Sequence, residues 1–179
     1  MSTSVESICS QVLIRLFFIQ TLRVQMAEAV VGNRITREEV ITEARTWIGT
    51  PFQHQGFHKG RGTDCLGLVT TISPSLNLSD YREDDPWAAP FKPYKRSPNS
   101  HQMRLVLTHY LVSIPVESAL PADIYWMVWH NEPQHLAIVS DVGIIHAHSQ
   151  VGKVVEHSIN AEWRNRIVEA FRFPIFQEA

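Results

Sequence analysis

The feature that most restricts how this chain can fold is a change of texture at Pro121. Before it, apolar residues recur at helical spacing. After it they come in short runs separated by turn residues, as antiparallel strands require. The runs fall at 123–129, 135–140, 143–148, 153–157 and 168–173, with Asp141-Val142-Gly143 and Val151-Gly152 as hairpin turns. On the helical side, Thr36-Arg37-Glu38-Glu39 matches a capping box, with Ile35 and Val40 as the staple around it. Val40, Ile41, Ala44, Trp47 and Ile48 then share one side, and Gly49-Thr50-Pro51 provides the stop, so the spacing predicts a helix over 37–48. A second, buried helix is predicted to start at Cys65, with Thr63 or Asp64 as its cap. A third is expected over about 100–112, carrying Met103, Val106, Leu107, Tyr110 and Leu111 on one side. Helices first and a sheet afterwards, without internal repeats, imply an α+β domain.

Two segments lack this regularity. Residues 52–63 hold Gly56, Gly60 and Gly62, which predicts an irregular loop whose backbone approaches another part of the chain closely. Residues 79–100 hold Pro86, Pro90, Pro93 and Pro98 among charges, which predicts a long surface excursion placed to wall a substrate groove. The organisation expected is an N-terminal extension of uncertain role over 1–32 and one domain over 33–179. The apolar stretch from Val12 to Ile19 is interrupted by Arg15 and falls short of the ~20 residues a bilayer requires, so no membrane span is expected. No Lys or Arg precedes it and Glu6 stands where a secretory signal has positive charge; Met26 is an alternative start. The extension reads as a packing helix or, less simply, as a docking helix for a larger assembly.

Composition removes several function classes. Sixteen Lys and Arg against eighteen Asp and Glu leave a formal charge of -2, so no basic excess points to nucleic acid as a direct partner. Two cysteines, Cys9 and Cys65, cannot form a multi-bridge secreted scaffold and read as separate thiols. Nine histidines are many for this length, and histidine is the side chain suited to proton transfer or metal ligation near neutral pH.

Cys65 stands at the first turn of its predicted helix, where the helix dipole is expected to lower the thiol pKa; the plainer alternative is a buried small hydrophobe. A nucleophilic thiol needs a base, and the base needs an orienting partner. His135 opens one predicted strand and His146 lies in the next, so a tight hairpin sets them side by side, with His135 expected to face the helix bearing Cys65. A rival chemistry is zinc held by His146 and His148 with His135 and Cys65, although their spacing matches no common zinc pattern. Trp47, Trp126 and Trp163 read as core or rim aromatics, Trp87 and Trp129 as candidates for a substrate platform, and His54 and His58 as loop residues facing solvent.

Gly49-Thr50-Pro51-Phe52, Gln55-Gly56, and the run from Gly60 through Thr63-Asp64-Cys65-Leu66-Gly67-Leu68-Val69 resemble the nucleophile segment of the NlpC-type cell-wall peptidases. The resemblance is strongest to their phage and gene-transfer-agent branch. Ala122-Asp123, His135-Leu136-Ala137-Ile138, Ile145-His146-Ala147, Trp163 and Ala170-Phe171-Arg172-Phe173-Pro174 follow in that branch's order, covering about 35–174. The resemblance implies a papain-like fold with the nucleophile helix packed on an antiparallel sheet. It implies that Cys65 attacks an amide, that His135 is base and then acid, and that His146 is the polar third member. Phe52, Gln55 and Asp64 are implied to lie at the substrate, and no metal or cofactor is implied. The expected activity is hydrolysis of peptidoglycan stem peptides, often between D-glutamate and a diamino acid. The expected setting is a phage or phage-like tail that opens the bacterial wall during DNA delivery, with other tail-tip proteins as partners. Two departures stand out: Phe52 replaces a tyrosine common in relatives, whose polar contact is then either absent or supplied by Gln53, His54 or Gln55, and Ala122 replaces the glycine of a Gly-Asp pair. The alternatives that keep this fold are a non-catalytic structural tail protein and an amidase or acyltransferase.

Overall fold

Thr36 starts the first helix as its sequence predicts: its hydroxyl accepts the Glu39 N–H at 3.1 Å, and its own N–H donates to the Glu39 carboxylate at 2.7 Å. This is one end of a computed structural model that describes residues 35–75 and 99–176. Cys9, Met26, Trp87, the 1–32 extension and most of the proline-rich excursion lie outside the described residues. Helix α1 (Arg37–Arg45) stops earlier than its apolar spacing suggests. Trp47 and Ile48 donate to carbonyls only three residues back, and Gly49 then takes φ +89° and donates to Val154. The tightened turn therefore ends the helix and ties it to a distant strand.

The glycine-bearing loop is more regular than predicted. It folds into a small hairpin of β1 (Phe57–His58) and β2 (Gly62–Thr63) before helix α2 (Cys65–Ser75), which begins at Cys65. Helix α3 (Ser100–Tyr110) is capped by Asn99 through the Gln102 N–H. The remaining elements are β3 (Val112–Ile114), β4 (Ile124–Trp129), β5 (Glu132–Val139), β6 (Ile144–His148), β7 (Lys153–His157), a short α4 (Ala161–Arg164) and β8 (Ile167–Arg172). The strands form one antiparallel sheet in the order β3-β8-β4-β5-β6-β7, so the last strand inserts between β3 and β4. The domain is α+β, as expected. Among the described residues no helix is long and apolar enough to cross a membrane.

Alternation along the strands gives the sheet two faces. Leu136, Ile138 and Ile145 join Leu68 and Ile72 of α2 and Val40, Ile41 and Ala44 of α1 in the larger core. Met127, Ala137, Val139 and Ile144 point the other way, into a second cluster edged by Trp163 and Ile167. Fully buried Asp123 holds the ends together by accepting from Arg37 at 2.9 Å and from Arg172 at 2.8 Å. Beside it, buried Ala122 occupies φ +74°, a left-handed conformation that favours glycine. Alanine at this position is therefore strained.

Candidate active site

Asp64 builds the start of α2. One carboxylate oxygen accepts the Gly67 N–H at 2.9 Å and the other accepts the Gln55 N–H at 2.7 Å, while the Asp64 carbonyl receives the Leu68 N–H. The same side chain thus caps the helix and pins Gln55 at φ 60°. Gly67 is needed for a second reason: a Cβ there would collide with the Gly56 carbonyl oxygen. This is the close approach that the glycine spacing predicts. Of the three residues expected at the substrate, Asp64 is buried as a cap, Gln55 is held through its backbone by Asp64, and half-buried Phe52 packs against the larger core.

Cys65 is half-buried, with its sulfur against the main chain of β5. Sγ lies 3.9 Å from the Gln134 carbonyl oxygen and faces the Leu136 N–H. The main-chain groups on both sides of His135 thus touch the thiol. Two features open this position. Pairing of β5 with β6 is confined to Ile138↔Ile145 and Val139↔Ile144, so the strands part before His135. On the other side, Met127 pairs with His135 and Val128 with Pro133, leaving Gln134 as an extra residue in a bulge, with its side chain donating to the Trp129 carbonyl.

Burial, followed by the Asp64 carboxylate, pushes the Cys65 thiol up to about 12, against the opposing N–H groups of Leu136, Leu66 and Cys65 itself. This reverses the expectation of a thiol acidified by its helix. The anion that caps α2 also sets a negative charge beside the sulfur, and desolvation adds to it.

His135 shares a sheet face with Ala137 and Val139, opposite the face that α2 covers. The ring thus lies on the face away from α2, rather than facing the helix as expected, and the sulfur contacts the main chain beside it. His135 Nε2 bonds His146 Nδ1 at 2.7 Å, so the expected partnership of these rings is formed as a diagonal contact. His146 Nε2 continues to His157 Nε2 at 3.0 Å, and His157 Nδ1 bonds the Ser158 carbonyl at 2.9 Å. His146 is fully buried and His135 is 5% exposed. Burial, then His148 and Arg166, lowers His135 to about 3; burial, then the neighbouring imidazoles, holds His146 far below the ordinary range. Both rings are neutral at working pH.

Aromatic rings enclose this chain. Trp129 lies 4.7 Å from His135, Trp163 lies 5.0 Å from His146 and 4.7 Å from His157, and the Arg166 guanidinium covers both tryptophans at 5.4 and 5.3 Å. His148 edges Trp129 at 5.3 Å rather than joining the line of hydrogen bonds. Among the described residues no group of three or more His, Cys, Asp or Glu is arranged to hold a metal ion. Sequence reasoning did not single out His157, Gln134 or Arg166. A signal for His157 was present: each bonded histidine lies eleven residues beyond the last, one per strand of a meander.

No family model matches the chain, nor does any curated protein sequence. Solved structures that share its fold include the NlpC/p60 domain of the peptidoglycan hydrolase SagA, 22% identical with a TM-score of 0.50, covering 76% of this chain and 98% of that one. An NlpC/P60 family protein from Bacillus cereus is 18% identical with a TM-score of 0.56, over 78% of this chain and 41% of that one. A Staphylococcus aureus protein described as similar to lipoprotein, NLP/P60 family, is 16% identical with a TM-score of 0.51, over 76% and 41%. At such identities the likeness establishes the fold, which is the papain-like one of NlpC/p60 domains.

Proposed function

We propose that this chain is a cysteine peptidase that hydrolyses peptide bonds in peptidoglycan stem peptides. The observation that carries the proposal is the half-buried Cys65 thiol at the start of α2, seated against the main chain on either side of His135, in a domain with the NlpC/p60 fold. As sulfur attacks the scissile carbonyl carbon, the thiol proton passes to His135 Nδ1 and the carbonyl electron pair moves to oxygen. The N–H groups of Cys65 and Leu66, at the open end of α2 and beside the sulfur, stabilise that oxyanion. His135 then gives its proton to the departing amine, leaving an acyl thioester on Cys65. A water deprotonated by His135 cleaves the thioester, releasing a carboxylic acid product and restoring the thiol. With the thiol raised and the imidazole lowered, the resting pair is neutral, so proton transfer accompanies attack instead of preceding it.

The setting in a phage or gene-transfer-agent tail, with tail-tip proteins as neighbours and action at the bacterial wall during DNA delivery, is part of this proposal. Its support is the order of motifs from Gly49 to Pro174. The test is incubation of purified peptidoglycan fragments with the protein and with Cys65→Ala, followed by mass spectrometry. New fragments formed only by the unaltered protein support the proposal and identify the bond; identical products from both end it.

A further inference from the structure

The imidazole chain has a direction, and one atom fixes it. The Ser158 carbonyl has no proton to give, so His157 Nδ1 must be the donor in their 2.9 Å bond. A neutral His157 ring then presents a lone pair at Nε2, and His146 Nε2 must donate across the 3.0 Å contact. His146 in turn has only a lone pair at Nδ1, so His135 Nε2 is the donor in the 2.7 Å bond. What remains on His135 is an unprotonated Nδ1, the nitrogen nearer the backbone that the Cys65 sulfur touches. The opposite tautomer of His135 would hold a proton at Nδ1 and could not accept one from the thiol.

We infer that His157, anchored by the Ser158 carbonyl, is a positioning residue that fixes the tautomers of His146 and His135 and thereby keeps His135 Nδ1 free as the base. The inference deepens the peptidase proposal and rests on it for its catalytic meaning. Three further observations fit. The three rings sit on one sheet face of adjacent strands, so β-sheet register sets their spacing. His146 is completely buried, so no solvent competes for its nitrogens. Trp163 packs against both His146 and His157 and limits ring flips. Substrate need never touch His157; its effect travels through two hydrogen bonds.

Two-bond 1H–15N correlation spectra of protein labelled at histidine nitrogens, recorded at pH 8, read the tautomers directly. The expected result is Nε2–H on His135 and His146 and Nδ1–H on His157. In His157→Phe, which cannot accept, His146 and His135 should show mixed tautomers. Its kcat on peptidoglycan fragments should then fall on the order of tenfold to a hundredfold with KM little changed. In His157→Gln, whose side-chain oxygen accepts from His146, the tautomers and most of kcat should return. A proton on His135 Nδ1 in the unaltered protein overturns the inference whatever the activity, as does a His157→Phe variant with unchanged tautomers. Spectra as expected from a protein that cleaves no fragment would sustain the tautomer assignment and remove the peptidase proposal.

Discussion

Along β5, Leu136 and Ile138 turn toward α2 and meet Leu68 and Ile72, whereas His135 turns to the other face and meets imidazole and indole rings. Both environments are dry. On the first face, burial of apolar surface suffices, and any side chain of the right volume serves. On the second, the ring nitrogens along the line from His135 Nε2 to His157 Nδ1 need partners of the right polarity, because an unpaired one costs about 1–3 kcal/mol. The contrast shows that one strand can carry a volume constraint and a proton-ordering constraint at adjacent residues.

Substitutions at those neighbours sharpen the contrast. His135→Ala removes the proposed base and should lower kcat/KM by about 10²–10⁴, with the protein still folded by circular dichroism. Leu136→Ala should instead cost about 2–5 kcal/mol of stability by leaving a cavity, measured by urea unfolding. Loss of activity in a fully stable Leu136→Ala protein would break the division between faces.

Acid offers a milder probe of the imidazole face. Above pH 6.5, the ordinary imidazole value, His135 is neutral both folded and unfolded and contributes no pH dependence. Below it the unfolded chain takes a proton that the folded site refuses down to about 3, so stability falls as pH drops. His146 acts in the same direction. Between pH 6.5 and 5, above the carboxylate range, each ring should remove up to about 1.4 kcal/mol per pH unit. Urea midpoints across this window test it, and His135→Ala should flatten the slope. A slope unchanged by that substitution would contradict the buried neutral ring.

The smallest effect lies at Ala122, where φ +74° burdens a side chain that glycine would spare. Ala122→Gly should raise stability by up to about 1 kcal/mol in thermal unfolding, after losing a buried methyl. A less stable glycine variant would show that the methyl's packing outweighs the strain.

What could be read from the chain follows the same division. The capping box at Thr36 and the short runs between turn residues at 123–129, 143–148 and 153–157 placed their elements, because local hydrogen bonds and apolar burial set them. β3 escaped notice because three residues after Leu111 are too few to show a period. In the site, the start of α2 at Cys65 was legible from its Asp64 cap, but the raised thiol pKa was not. That shift depends on burial and on where the capping carboxylate ends up. The His135 and His146 contact could be anticipated from a short hairpin. His157 required the register of a further strand, and the tautomers required a carbonyl whose position no side-chain pattern encodes.

The most direct test of the central claim is rapid acid quenching of the protein mixed with peptidoglycan stem-peptide fragments, followed by peptide mapping by mass spectrometry. A transient acyl mass on the peptide containing Cys65, absent in His135→Ala, is the predicted result. Fragment cleavage that proceeds with Cys65 unmodified at every time point would contradict it.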